Sequence, residues 1–318
     1  MKACVKSILS QTLDNFNFII LDNCSTDGTL AWLQLLQDKR IKIIPSERPL
    51  TIEESWGRIK DIQKNEYITL IGHDDLLYPD FLENIDQLIT QHPNASLFHT
   101  HFDFIDAAGK VIRKSKPMKP LFSANELLKG FLLQNIDSMG TGYVMRAADY
   151  DAVGGIPVKY PNLLFADFEL WQNIADRGMV AVSPKTSFAF RVHQSTTGTS
   201  GDIQLHRALD LYVDFLTTQE AQSKVKREMV LKHGQSLLLY YCKGFSHRLL
   251  RTSADKRNGA TVNKFIEETK LMAKRMGVEK GYHPEKIKSI QIAQLIDSSN
   301  VLSRLFLLFK KLNPKPMM

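Results

Sequence analysis

The apolar positions of this chain change their spacing near residue 200. Before that point, short apolar runs of strand length, among them Asn17–Leu21, Ile41–Pro45 and Tyr67–Ile71, alternate with segments whose apolar residues recur every three or four positions. Such runs indicate strands covered on both faces, and their alternation with helices through short connections is typical of a doubly wound sheet. We therefore predict an α/β fold in which a mainly parallel, Rossmann-like sheet is flanked by helices.

A polar stretch from Gln194 to Asp202 separates this pattern from a second one. The stretch is rich in Ser, Thr and Gly, which is the composition of a loop. After it the spacing of apolar residues is helical throughout, and it predicts helices over 203–216, 225–242, 261–276, 284–297 and 301–312. We accordingly predict two domains, an α/β domain over residues 1–200 and a helical region over residues 201–318.

The last of these helices contains the segment Leu302–Lys311, which is apolar with basic residues beside it. This pattern is typical of a helix that lies in a membrane interface, and equally of a helix docked on the first domain or on another subunit. No apolar run reaches the roughly 18 residues that span a bilayer, and the N-terminus lacks a signal-peptide pattern. We expect a cytoplasmic protein, either free or peripheral at the inner face of a membrane.

Composition narrows the choice of partners. The chain has 41 lysine and arginine residues against 34 aspartate and glutamate residues, a net charge of +7, and much of the surplus lies after Lys224. A basic second half suits an anionic partner such as a membrane surface or a phosphorylated substrate, and is also a common solubilising surface. Nucleic acid is not expected, because zinc-finger spacing and basic stripes interleaved with aromatic residues are lacking. Three widely separated cysteines predict a reducing compartment without disulfides.

Candidate chemistry is concentrated where the apolar run Tyr67–Ile71 ends in Gly72 and His73, followed by Asp74 and Asp75. A buried strand would deliver these carboxylates to the carboxyl edge of the sheet, where ligands of open α/β sheets bind. Two neighbouring carboxylates repel each other unless a cation compensates them, so a divalent metal carrying a phosphorylated ligand is their natural partner. The alternative is that one of them only caps a helix that begins near Tyr78.

Four segments in this order resemble a family 2 glycosyltransferase with the GT-A fold. They are Ser7–Thr12 (SILSQT), Asp22–Thr29 (DNCSTDGT), His73–Asp75 (HDD) and Asp167–Trp171 (DFELW). Each motif is weak alone, but the ordered set is specific, and the resemblance covers residues 1–193. It implies transfer of a sugar from a nucleotide-diphosphate sugar, such as a UDP- or dTDP-sugar, to a saccharide or lipid-linked acceptor in the synthesis of surface polysaccharides.

The resemblance also assigns roles to individual residues. Asp22 would bind the nucleotide base, Arg58 would lie near the donor, and Asp74 would contact the ribose. Asp75 would hold the metal, Mn²⁺ or Mg²⁺, that bridges the diphosphate. Asp167 resembles the catalytic base, and His193 matches a position that can reach the metal or the diphosphate.

The reaction chemistry is compatible with these residue types. A metal ion stabilises the charge that develops on the leaving diphosphate, and a positioned carboxylate accepts the proton of the acceptor hydroxyl. A single displacement with one base and no enzyme nucleophile inverts the anomeric centre.

The start of the chain departs from the family pattern. Members usually begin with an apolar strand before the helix that ends in the SILSQT segment, whereas Met1 lies inside that helix. We expect a central strand to be missing, which would expose strand edges and weaken donor binding. A start-site error or a real truncation would explain this. Two other functions therefore stay open: an inactive scaffold or binding subunit, and a different metal-dependent α/β enzyme that uses nucleotides.

Overall fold

The computed structural model describes residues 1–192 and 201–313, which fall into two units. The first unit comprises residues 1–124 and 137–192, and the second comprises residues 125–136 and 201–313. The division predicted from the sequence, 1–200 and 201–318, stays a prediction, since the stretch around it lies outside the described residues.

Helices and strands alternate through the first part of the chain, as the apolar spacing predicted. The helices are α1 (Lys2–Leu9), α2 (Thr29–Gln34), α3 (Ile52–Gly57), α4 (Phe81–Gln91), α5 (Ala124–Leu132), α6 (Ala147–Ala152) and α7 (Ala166–Ala175). The strands are β1 (Phe18–Asp22), β2 (Ile41–Pro45), β3 (Tyr67–Thr69), β4 (Leu76–Leu77), β5 (Ala95–Ile105), β6 (Val111–Lys114), β7 (Leu121–Phe122), β8 (Tyr143–Arg146) and β9 (Met179–Arg191).

The strands of the described residues form two sheets. Strands β1 and β2 pair in parallel as a two-stranded sheet, and the other strands follow the order β3-β8-β5-β9-β4, with β6 beside β5 and β7 beside β9. In this larger sheet only β5 and β9 are parallel. The expectation of a mainly parallel sheet is therefore corrected to a mixed sheet. Parallel pairs need long crossovers, and these become scarce after residue 95, where several strands follow one another through short connections.

The long strand β9 contains a bulge near its middle. Ser183 pairs with Thr100 and Thr186 pairs with His101, so Pro184 and Lys185 lie between paired positions. Both residues are exposed. A proline cannot donate to the ladder, and a bulge accommodates it without ending the strand. Strand β9 consequently runs on to Arg191, next to the paired aspartates.

An aromatic core supports this end of the sheet. Phe98, Phe102 and Phe188 from β5 and β9 are fully buried with Phe81 of α4, and the rings of Phe102 and Phe188 stack with centroids 4.5 Å apart. The backbone approaches this core closely at Gly142, which has φ +75° and would place a Cβ 2.5 Å from the Phe188 ring. Only glycine tolerates both conditions, so the chain before β8 is fixed against the core.

The second unit is helical, as predicted. It contains α5 from residue 125 and the helices α8 (Asp202–Gln222), α9 (Lys224–Leu249), α10 (Val262–Arg275), α11 (Lys288–Asp297) and α12 (Asn300–Leu312). The hydroxyl groups of Ser223, Thr261 and Ser299 cap α9, α10 and α12 by accepting a backbone N–H three residues on. Within the described chain no single helix is long and apolar enough to span a membrane, although α11 and α12, bent by 110°, pass that test as a pair.

Candidate active site

The aspartate pair lies in a turn between β3 and β4, and the end of β9 holds this turn in place. The backbone N–H of Arg191 donates to Asp75 Oδ1 at 2.8 Å, and Arg191 Nε donates to the carbonyl of Asp74 at 2.8 Å. Arg191 Nη1 also donates to the carbonyl of Asp106 at 2.7 Å. The helix-cap interpretation of the pair is wrong, because α4 begins at Phe81 and its N-cap is Asp80.

Both carboxylates of the pair face Gly72. A Cβ at this position would lie 2.9 Å from Asp74 Oδ1 and 3.1 Å from Asp75 Oδ2. The two carboxylate oxygens thus both lie close to the Gly72 backbone. Glycine is required here because of this close approach.

Asp75 is buried, and the charge of Arg191 compensates only part of the effect of burial. Burial raises the pKa of its carboxyl to about 7, and the charge of Asp74 acts in the same direction. The Arg191 N–H and the Thr141 hydroxyl oppose this shift by hydrogen bonding to the carboxylate. A buried carboxylate beside a second one is stabilised in its charged form by a metal ion.

A short segment before β8 joins the aspartate pair to Asp167. Thr141 Oγ1 accepts the backbone N–H of Gly72 at 2.9 Å, and its hydroxyl also bonds to Asp75. The preceding residue, Gly140, would place a Cβ 3.6 Å from both carboxylate oxygens of Asp167. Two adjacent residues thus lie near both groups: Thr141 bonds to the turn of the aspartate pair, and Gly140 lies beside Asp167.

Asp167 lies in the first turn of α7 and retains a small exposed surface. Dense protein surroundings nevertheless raise the pKa of its carboxyl to about 7, and a hydrogen bond with Tyr143 acts in the opposite direction. The chain reaches α7 through left-handed backbone at Asn162, Leu163 and Phe165, with φ values of 53°, 56° and 68°. Such conformations cost of order 1–3 kcal/mol each and cluster at functional sites.

Asp22, at the end of β1, is 3% exposed and presents a free acceptor. Its Oδ2 accepts the backbone N–H of Ser25 at 3.1 Å, whereas its Oδ1 is buried and has no hydrogen-bond partner among the described residues. Buried polar atoms are usually hydrogen-bonded. The unpartnered carboxylate oxygen retains the capacity to accept a further hydrogen bond.

The structure places Arg58 across the ends of β1 and β2. It follows α3 in a 3₁₀ turn, Arg58–Asp61, and its Nη1 donates to the carbonyl of Asp22 at 3.0 Å while its Nη2 donates to the carbonyl of Ile44. The guanidinium thus holds the strand ends that carry Asp22. Its predicted position near the donor stays a prediction.

The described residues offer few side chains that could coordinate a metal ion at this site. Over residues 1–192 and 201–313 no group of three or more His, Cys, Asp or Glu side chains could hold a metal by itself. Mg²⁺ and similar ions in nucleotide sites commonly take one or two carboxylates and complete their shell with phosphate oxygens and water, so the aspartate pair fits such an ion. The predicted ligand His193 lies outside the described residues.

Sequence reasoning missed the residues that hold the site together. Thr141, Tyr143 and Arg191 were not selected, because their contacts with the aspartates join segments far apart in the chain. The glycines that flank Thr141 were the available signal, since two glycines around one hydroxyl residue permit close backbone approach on both sides.

The architecture matches known structures of the GT-A class. The similarity to S. aureus TarS has a TM-score of 0.61 at 13% sequence identity, over 93% of this chain and 52% of TarS. A TarS chain of residues 1–349 gives 0.51 at 14% identity, over 90% and 88% of the two chains. At these identities the likeness defines the fold alone: a GT-A α/β domain followed by a helical region.

Sequence comparison supports the resemblance drawn from the motifs. Residues 1–150, just under half of the chain, match the family model for glycosyl transferase family 2. An uncharacterized glycosyltransferase of Methanocaldococcus jannaschii is 30% identical over 43% of this chain and 47% of its own length. Escherichia coli WfaP, named as a UDP-Glc:alpha-D-GlcNAc-diphosphoundecaprenol beta-1,3-glucosyltransferase, is 24% identical over 75% and 85%. The matches cover 12%, 47% and 61% of the lengths of the relatives from Sinorhizobium fredii, M. jannaschii and Haemophilus influenzae, so this chain spans less than two thirds of each of them.

Proposed function

We propose that the protein is an inverting glycosyltransferase that moves a sugar from a UDP- or dTDP-sugar to a hydroxyl group of a saccharide or lipid-linked acceptor. The observation that carries the proposal is the position of the adjacent residues Gly140 and Thr141. A Cβ at Gly140 would lie 3.6 Å from both carboxylate oxygens of Asp167, and Thr141 bonds to Gly72 in the turn of the aspartate pair. A single displacement requires a site for the diphosphate and a base for the acceptor, and these two residues connect the candidates for both.

One of the predicted donor contacts, that of Asp22, is supported by an observation on its side chain. The unpartnered Oδ1 of Asp22 suits an N–H of the nucleotide base. Asp74 is proposed to bind the ribose. Asp75, with His193 as a further candidate ligand, is proposed to hold Mn²⁺ or Mg²⁺. When bound, such an ion offsets the charge that develops on the leaving diphosphate.

Asp167 is proposed to act as the base. The acceptor oxygen forms its bond to the anomeric carbon from the face opposite the diphosphate, and the acceptor proton passes to the Asp167 carboxylate. The bond between the anomeric carbon and the diphosphate oxygen breaks, and the nucleotide diphosphate leaves with the electron pair. A pKa of about 7 suits this role, because the carboxylate is then a stronger base than an ordinary one, and about half of it is ionised at neutral pH.

The class of acceptor is inferred from relatives. The E. coli proteins WfgD and WfaP are both named for transfer from UDP-glucose to a diphosphoundecaprenol-linked sugar, and WfgD is 22% identical over 68% of this chain. We extend from them only the class, a saccharide or lipid-linked hydroxyl in polysaccharide synthesis. A cytoplasmic location at the inner face of the membrane is part of the same proposal.

Calorimetry with UDP-glucose and dTDP-glucose, each with and without Mn²⁺, tests donor binding. We expect binding that depends on Mn²⁺ and that Asp75→Asn abolishes. Asp22→Asn should weaken binding to both nucleotides, because an amide cannot offer two acceptor oxygens. Asp86→Asn on α4 is the matched control, since Asp86 is exposed and the change removes the same charge.

The outcomes separate the competing functions. Binding that Asp75→Asn leaves intact would contradict the metal assignment, and would favour another kind of nucleotide-binding enzyme. Absence of binding to any nucleotide-sugar would contradict the transferase proposal and favour the scaffold alternative. Donor binding that Asp167→Asn preserves, together with loss of transfer, is the expected signature of a base that does not hold the donor.

A further inference from the structure

Helix α12 exposes its apolar face and buries a polar position. Its exposed residues share one stripe at helical spacing: Val301 (67% exposed), Leu305 (57%), Leu308 (54%), Phe309 (54%) and Leu312 (71%). Positions three and four apart lie on the same face of a helix. Ser303, on the other side, is only 7% exposed. A surface helix of a globular protein normally has the opposite orientation.

The neighbouring helix adds to this apolar surface. On α11, which packs against α12, Ile292 and Leu295 are 56% and 61% exposed and lie three residues apart. We call these two residues and the five of the α12 stripe the apolar surface. Contiguous exposed apolar patches of this kind mark interaction sites on soluble domains.

The charge around the apolar surface is positive. From residue 288 to residue 312 the sequence contains Lys288, Arg304, Lys310 and Lys311 but only one acidic residue, Asp297. That carboxylate is already paired with the guanidinium of Arg257 and also accepts the backbone N–H of Val262 at 2.8 Å. The basic side chains of this segment are therefore not neutralised by an acid of the same segment.

Positive charge extends beyond the two helices. Burial lowers the pKa of His247 on α9, and the charges of Lys243, Arg251 and Lys310 lower it further. These cations are therefore close enough to act on one imidazole. Lys310 also lies over the rings of Phe306 and Phe309, with its Nζ 5.4 and 5.7 Å from the ring centroids.

The apolar surface and the positive charge around it together favour one kind of binding partner. A second copy of this chain would bring the same uncompensated cations together across the interface, and like charges in contact oppose association. An anionic lipid surface instead accepts the apolar stripe at its acyl boundary and compensates the basic residues with headgroup charge. We propose that the apolar surface of α11 and α12 binds the interface of a membrane that contains acidic phospholipids.

This inference goes beyond the proposed transferase activity and does not depend on it. It concerns helices of the second unit and is measured without any nucleotide-sugar, so it can fail while the transferase proposal stands, and the reverse. If both hold, the enzyme would be retained where lipid-linked acceptors are found.

Vesicle co-sedimentation of the full chain tests the proposal. The probes are vesicles of phosphatidylcholine alone and vesicles of phosphatidylcholine with phosphatidylglycerol at a ratio of about 7 to 3. We expect binding to the mixed vesicles only, and weaker binding as salt is raised, because salt screens the headgroup charge. Leu308→Glu should weaken binding at least roughly tenfold, since it places a charge in the acyl boundary. Leu271→Glu on α10 is the matched control, because Leu271 is also exposed, at 65%.

A second pair of variants separates insertion from adhesion by charge. Phe309→Trp should gain a blue shift of its fluorescence on mixed vesicles, whereas Leu271→Trp should show none. The proposal is overturned by equal binding of Leu308→Glu and Leu271→Glu, by the absence of a blue shift for Phe309→Trp, or by light scattering that reveals a dimer which Leu308→Glu dissociates. All these positions are exposed, so circular dichroism should confirm that every variant remains folded.

Discussion

Replacing the proposed base with its amide should make the protein more stable and less active. Burial raises the pKa of Asp167 from 3.8 to about 7 in the folded protein. Between these values the folded chain keeps a proton that the unfolded chain has released. The free energy of unfolding therefore falls as the pH rises through this window. Asp167→Asn has the same shape and no charge, so it avoids this loss.

The size of the effect follows from the shift. One pKa unit corresponds to about 1.4 kcal/mol, so the full shift gives Asp167→Asn an advantage of up to about 4 kcal/mol above pH 7. Near pH 4 the variant and the original protein should differ little. The shifted carboxyl of Asp75 is present in both proteins and cancels in the comparison.

Urea unfolding followed by tryptophan fluorescence measures this difference. All three tryptophans, Trp32, Trp56 and Trp171, belong to the first unit, so their signal reports the unit that contains Asp167. Transfer activity should fall by about two to four orders of magnitude, the usual contribution of a general base. Equal stability of Asp167→Asn and the original protein at pH 8, with Asp86→Asn as control, would refute the raised pKa and remove the physical basis for the assignment.

Three other changes probe the site and the second unit. Gly72→Ala should displace both carboxylates of the pair and weaken Mn²⁺-dependent donor binding at least roughly tenfold by calorimetry. Unchanged binding would contradict the proposed roles of Asp74 and Asp75 in donor and metal binding. Thr141→Val should lower the free energy of unfolding by about 1 kcal/mol in urea, and Thr141→Ser should restore it, because only serine retains the bond to Gly72. Arg257→Met leaves the carboxylate of Asp297 buried and unpaired, so thermal unfolding should reveal a loss of about 3–5 kcal/mol; a loss below about 1 kcal/mol would contradict this.

Local pattern was sufficient for the class of fold and for most elements. The boundaries of β2, Ile41–Pro45, match the apolar run, and the helices of the second unit follow the predicted spacing. The direction of the strands could not be obtained in this way. A strand has the same alternation whether its neighbour is parallel or antiparallel, so the mixed order around β5 and β9 depends on contacts between distant segments.

The candidate site likewise combines residues that could be predicted from the sequence with residues that could not. Asp22, Asp74, Asp75 and Asp167 could be selected because each belongs to a recognisable string that follows an apolar run or begins a helix. The bond from Gly72 to Thr141 joins residues 69 positions apart, and the one from Arg191 to Asp75 joins residues 116 apart. The spacing of residues within one element carries no information about such partners. The sequence therefore predicted the carboxylates, but not the distant residues that hydrogen-bond to them and to their turn.

Helix α12 illustrates the same limit and gives it a functional meaning. Apolar residues at helical spacing define a stripe, but the spacing is identical whether the stripe faces a core or the outside, which is why docking and membrane contact both stayed open. The structure resolves the direction, since Leu305 and Leu312 are exposed whereas Ser303 is buried. An exposed stripe of this size loses hydrophobic free energy in water, and only a covering surface recovers it. The uncompensated cations around it, including Arg304 and Lys311, favour an anionic surface as that cover, so orientation and charge together turn an ambiguous periodicity into a specific membrane-binding proposal.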